Sequence, residues 1–295
     1  MNAALILPAR DEAECIARVV REVQRYIDGE IIVVDNGSRD ATAEQAAAAG
    51  ARVVSEPVPG YGRACMAGVR AAPSADVLVF MDADGSDRPE DIPHLIEAIA
   101  GGADLALGVR TGDRVEPGSI APAARFGNWL SGMAIGLWSG RRLRDLSPLK
   151  AVTRQSLREL SPRETTYGWT VELLAVAASR KFAIAEVPVG YRHRLGGRSK
   201  VSGTLSGSFR AGWRILFVLG RVFMKSRSAR AIGGLVGFLL SLLVIGGYTL
   251  WLFQQAPSSR DVLVSSWLLA WPACLIAIAL GMLVAAVFRS KRTNP

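Results

Sequence analysis

The chain has 295 residues, half of them hydrophobic, and a formal net charge of +9. Two histidines and three scattered cysteines (Cys15, Cys65 and Cys274) exclude a histidine-rich metal centre and give neither zinc nor disulfide spacing. The charge is uneven: residues 1–207 carry 25 basic and 25 acidic groups, residues 208–295 carry 10 and 1.

In chain order, strand and helix signals alternate, the pattern of a parallel sheet with helices on both faces. Ala3 to Leu7 predicts a strand, followed by Pro8-Ala9-Arg10-Asp11-Glu12. Ile16, Val19, Val20, Val23 and Ile27 then recur at helical spacing. Ile31 to Val34 predicts a second strand running into Asp35-Asn36-Gly37-Ser38. A helix over Thr42 to Ala49, a short strand over Arg52 to Val54 and a helix over Gly62 to Ala72 follow. The apolar run Val77 to Met81 ends in Asp82-Ala83-Asp84 and then Gly85-Ser86-Asp87-Arg88-Pro89. Ile92 to Ile99 is helical, and Leu105 to Val109 is a strand delivering Arg110.

Three strands therefore end in acid-bearing loops, and in a parallel sheet those ends share one edge, where open α/β sheets bind ligands. Asp82-Ala83-Asp84 by itself fits two roles equally well. Paired carboxylates can share a hard divalent cation with substrate phosphates, or they can cap the helix that begins near Pro89. A dinucleotide fingerprint fails on spacing. The glycine-rich stretch Gly60-Tyr61-Gly62-Arg63-Ala64-Cys65 lacks its last glycine and follows the third strand.

The C-terminal third has another character. Over residues 208–230, Phe209, Trp213, Leu216, Phe217 and Phe223 share one helical face, with Arg210, Arg214, Arg221 and Lys225 in a stripe beside it. That pattern predicts an amphipathic helix lying in a membrane interface. Residues 231–253 and 262–288 contain no charge and exceed the ~20 apolar residues that span a bilayer. They predict a transmembrane hairpin, through which protomers could associate. Lys225, Arg227 and Arg230 precede the first span, and Arg289, Lys291 and Arg292 follow the second. By the positive-inside rule both termini and the N-terminal domain are expected to be cytoplasmic, on an inner membrane. No nucleic-acid motif accompanies the basic stripe, so nucleic acid is not an expected partner.

Taken in order and spacing, these motifs resemble the family-2 inverting glycosyltransferases of the GT-A (Rossmann-like) fold. Asp145-Leu146-Ser147-Pro148-Leu149-Lys150-Ala151, Tyr167 to Glu172, Glu186-Val187-Pro188-Val189 and Gly197-Arg198-Ser199-Lys200 continue the match. The chain is similar to the branch holding dolichyl-phosphate mannose synthase and bacterial polyprenyl-phosphate glycosyltransferases. The resemblance covers roughly residues 1–215 and implies a catalytic domain over residues 1–207.

It further implies a pocket for the donor's base and ribose at Pro8, Arg10, Glu12, Asp35 and Asn36, with Gly62 and Ala83 in the same motifs. Asp82 and Asp84 are implied to hold ribose and a Mg²⁺ or Mn²⁺ on the donor diphosphate. Relatives carry glutamine two residues later, where this chain has Ser86, so the metal is expected to be held more weakly or through water. Arg110, Arg198 and Lys200 are the implied diphosphate cations, and Asp145 and Glu172 are implied near sugar and acceptor. The expected activity is transfer of a hexose from a UDP- or GDP-sugar to polyprenyl phosphate. The alternatives are transfer to a hydroxyl of a glycolipid or other lipid, a nucleotidyltransferase, and a silent sugar-nucleotide-binding membrane protein.

Overall fold

A computed structural model describes residues 1–196 and Val218. These belong to a compact unit spanning Met1–Val222. Arg198, Lys200, the predicted interfacial helix over 208–230 (Val218 apart) and both predicted spans lie outside the described residues. Among the described residues no helix is long and apolar enough to cross a membrane.

Buried hydrophobic runs form the strands: β1 (Ala3–Ala9), β2 (Glu30–Asp35) and β4 (Val77–Phe80), with the more exposed β3 (Arg52–Ser55) beside β2. They pair in parallel in the order β3-β2-β1-β4. Between them run α1 (Ile16–Val23), α2 (Thr42–Ala48) and α3 (Tyr61–Ala71). A 3₁₀ turn at Pro89–Asp91 leads into α4 (Ile92–Ala100). Leu5, Leu7, Val33, Val77 and Val79 pack with Ile16, Val19, Val20, Ile92 and Leu95 on one face of the sheet. On the other face α3 crosses so closely that a Cβ at Gly68 would come within 2.4 Å of Ile6. Helices thus cover both faces, and each fully buried leucine or isoleucine contributes roughly 1.5–3 kcal/mol.

The second half departs from a uniformly parallel sheet. β5 (Leu105–Val115), α5 (Pro122–Ser139), β6 (Lys150–Thr153), α6 (Arg154–Leu160), α7 (Gly168–Ser179) and β7 (Ile184–Tyr191) complete the described elements. β6 inserts antiparallel between β4 and β5, and β7 pairs parallel to β5 at the far edge. The sheet is therefore mixed, with β6 reversed in an otherwise parallel set. β5 also runs past the expected end at Val109, because it continues along β7 through an irregularity between Arg110 and Val115. The C-terminal ends of β1, β2 and β4 share one edge, as the alternating pattern predicts, and they carry the site.

Candidate active site

The nucleoside side of the edge is built by hydrogen bonds between two loops. After β1 the Asp11 and Glu12 amides donate to Ser38 Oγ (3.0 Å) and Thr42 Oγ1 (2.8 Å), and the Arg39 amide donates to Asp11 Oδ1. Asp11 adopts φ +48 to make this turn. Asp35 is half-buried and accepts from the Ser38 amide. Asn36, implied by the resemblance in the donor pocket, is buried. Its amide donates to Glu56 and Val58 carbonyls and accepts from Gly60 N, so it fixes the loop before α3. Pro8 and Arg10 are half-buried at the edge. Gly62 is a packing residue: a Cβ there would lie 2.3 Å from the Glu164 carbonyl and 2.9 Å from Trp169 Cβ.

Asp82 and Asp84 leave β4 in a tight turn. The Asp82 amide donates to Asp87 Oδ2 (3.1 Å), and Asp84 Oδ1 accepts from the Ser86 amide (2.9 Å) and hydroxyl (2.6 Å). Ser86, expected as a weak substitute for a glutamine metal contact, is buried and its hydroxyl proton is committed to Asp84. Ala83 is buried, and its carbonyl lies 3.5 Å from Cys15 Sγ. Three carboxyls in six residues repel one another. Burial and then Asp84 push the Asp82 carboxyl up to about 7, and burial and then Asp82 push Asp87 up to about 8. Among the described residues, Asp87 Oδ1 is buried with no hydrogen-bond partner.

The described residues hold no ready-made cluster of three or more His, Cys, Asp or Glu ligands. Asp82 and Asp84 on one tight turn, with Asp87 beside them, nevertheless fit a hard divalent cation that completes its shell with phosphate oxygens.

Across β4, the sequence did not assign a role to Lys150, which opposes Phe80 and is fully buried. Its ammonium donates to the Pro148 carbonyl (2.7 Å) and Thr170 Oγ1 (3.2 Å), 5.8 Å from the Trp169 ring centre. Burial lowers it to about 8, while Cys65, Asp82 and Asp87 favour its charge. Trp169 packs tilted on Phe80 at 4.9 Å and edge-on to Tyr61 at 6.3 Å. Lys150 lies inside the Asp145-to-Ala151 motif; only the paired register of β4 and β6 reveals what it faces.

Arg110 and Asp145, predicted on opposite sides of the reaction, are brought together. The guanidinium forks onto both carboxylate oxygens (2.7 and 2.8 Å), the Arg110 amide adds a third bond, and Asn128 of α5 donates a fourth. Arg110 also stacks over Tyr191 at 4.9 Å. Despite burial, these bonds hold Asp145 below the usual carboxylate range and raise Arg110. Such a carboxylate is a poor proton acceptor.

Glu172, implied near sugar and acceptor, is anchored by backbone amides. It is buried in α7 and accepts from the Arg163 and Glu164 amides (2.7 and 2.5 Å). It therefore holds the segment whose Thr165 carbonyl receives Arg63 N at the start of α3.

The Glycosyl transferase family 2 model matches residues 4–160. The chain belongs to this family. An uncharacterised glycosyltransferase of Mycobacterium tuberculosis is 37% identical, over 69% of this chain and 91% of its own length. The undecaprenyl-phosphate mannosyltransferase of Micrococcus luteus is 32% identical over 70% of this chain and 90% of its own. Among solved structures, glucosyl-3-phosphoglycerate synthase from Mycobacterium tuberculosis, in complex with Mn²⁺, UDP-glucose and phosphoglyceric acid, superposes with a TM-score of 0.61. It is 29% identical, covering 75% of this chain and 79% of that one. The family domain thus spans the acid-tipped edge, and the chain is a GT-A-like α/β glycosyltransferase.

Proposed function

We propose that this protein is a metal-dependent inverting glycosyltransferase that moves a hexose from a UDP- or GDP-sugar to polyprenyl phosphate at the cytoplasmic face of a membrane. The observation that carries the reading is the Asp82–Asp84 turn at the shared edge of β1, β2 and β4, in a chain of this family. Asp82 and Asp84 would hold Mg²⁺ or Mn²⁺, which when bound neutralises charge on the leaving nucleoside diphosphate. Glu12 and Asp35 supply acceptors for ribose hydroxyls and base N–H groups.

A lipid phosphate is already anionic at neutral pH, its second pKa lying near ~6, so it needs no strong base. That suits a site whose Asp145 is tied into a fork with Arg110. Two features of the chain support a lipid acceptor. Phe126 and Trp129 of α5 are exposed and stacked at 5.9 Å, flanking the Asn128 that binds Asp145. The charge-free runs at 231–253 and 262–288 would anchor the domain beside its acceptor. Likeness to the phosphoglycerate enzyme favours a second reading, in which a soluble phosphorylated acid accepts the sugar.

The test offers the purified full chain radiolabelled nucleotide sugars with Mn²⁺ or Mg²⁺ and either polyprenyl phosphate or 3-phosphoglycerate. Label in an organic-extractable product is expected. Label only in a water-soluble product would replace the lipid acceptor with the soluble one.

A further inference from the structure

A strap of chain after β7 is stitched across the acidic turn. The Arg192 amide donates to the Ser86 carbonyl (2.9 Å) and the Leu195 amide to the Asp84 carbonyl (3.0 Å). Arg192 Nε donates to the Gly85 carbonyl (2.6 Å) and its Nη2 to Glu22 (2.5 Å). Leu195 lies over Gly85 so closely that a Cβ there would come within 2.6 Å of it. These contacts fix the strap, and they deliver Arg194 into the site.

Arg194 Nη2 reaches both Glu12 oxygens at 3.1 Å, and its Nη1 stands 3.8 Å from Asp84 Oδ2. Its Nε donates to the Gly196 carbonyl (2.8 Å), which holds the guanidinium plane in place. One side-chain cation thus spans a nucleoside-side carboxylate and a metal-side carboxylate. The surroundings need such a cation, since residues 1–116 carry 20 acidic and 11 basic groups.

We propose that Arg194 is a positioning residue of the donor site that acts as a built-in stand-in cation, competing with the divalent metal for Asp84 and with the nucleoside for Glu12. The inference rests on the metal and donor assignment above. Whichever ligand arrives first must free carboxylates from the same guanidinium, and the second then binds without that cost. Metal and nucleoside are therefore coupled even where they share no direct bond, which is positive cooperativity by release of a common competitor.

The experiment titrates Mn²⁺ into the full-length protein without nucleotide, following free Mn²⁺ by electron paramagnetic resonance. Arg194→Gln should bind Mn²⁺ about ten-fold more tightly than wild type, the scale of a lost charge-assisted contact. Arg194→Lys, which keeps one charge without the fork, should fall between them. Added uridine, which has no phosphate to bind metal, should tighten Mn²⁺ binding in wild type and not in Arg194→Gln. Binding that needs Asp84, as judged with Asp84→Ala, yet ignores Arg194→Gln would overturn this inference alone. Mn²⁺ binding indifferent to Asp84→Ala would overturn the metal assignment and this inference with it.

Discussion

Asp145 joins a buried fork of charge with Arg110, and both side chains are almost wholly out of water. Removing one partner of such a pair leaves the other as an uncompensated buried charge, which typically costs about 3–5 kcal/mol. Asp145→Asn should lose stability on that scale at pH 7, measured by urea unfolding. The sign with pH follows from the depressed carboxyl. Its contribution is present above the unfolded value near ~3.9 and disappears as pH falls through the lower folded one. The gap between wild type and Asp145→Asn should therefore persist to about pH 4 and close only below it. A gap that closes between pH 7 and pH 5 would remove the ion pair as its cause. Sequence patterns singled out both residues, but each for a separate task. Their pairing was invisible because it depends on how α5 and the turn before β6 fold back onto β5. Arg194 was hidden differently: it falls in no motif with an implied role, and its carboxylate partners come from the loops after the first and fourth strands.

At the scale of elements, β1 to β4 and the helices between them were legible because each strand is a short apolar run and each helix shows one apolar stripe. α7 gives no such signal. Ten of its twelve residues are buried, so it is apolar nearly all round and has no face to read. β6 is four residues long, and its reversed direction has no sequence signature. Close approach between elements can be tested with glycine. Ala normally stabilises a helix interior over Gly by up to about 1 kcal/mol. Gly62→Ala should invert that sign, because the new methyl meets the Glu164 carbonyl and Trp169; overpacking of this kind costs roughly 1–3 kcal/mol. Gly127→Ala in α5, where a Cβ meets nothing within 4 Å among the described residues, should be neutral or stabilising. Thermal unfolding of the two variants side by side decides it, and equal shifts would contradict the packing account.

Across the whole molecule, sequence and structure divide the chain differently. The family match ends at residue 160, yet the sheet needs β7, and the strap beyond β7 reaches back to the first loop. The basic excess beyond residue 207 belongs to the proposed anchor. If the two charge-free runs span a bilayer, the full-length protein should stay with membranes through high salt and alkaline carbonate. Electrostatic adsorption through the arginine-rich stripe alone would be released by salt. Recovery in the carbonate supernatant would rule out the hairpin.

Gly85 combines two constraints. It sits at φ +73, where side chains are rarely tolerated, and Leu195 fills the space a side chain would need. Position 85 is therefore doubly constrained: a lineage that places a side chain there must give up both the turn's backbone conformation and the leucine at 195. Paired substitution at these two positions, across a wide sampling of descendants, would be the historical trace of a strap fitted to its turn.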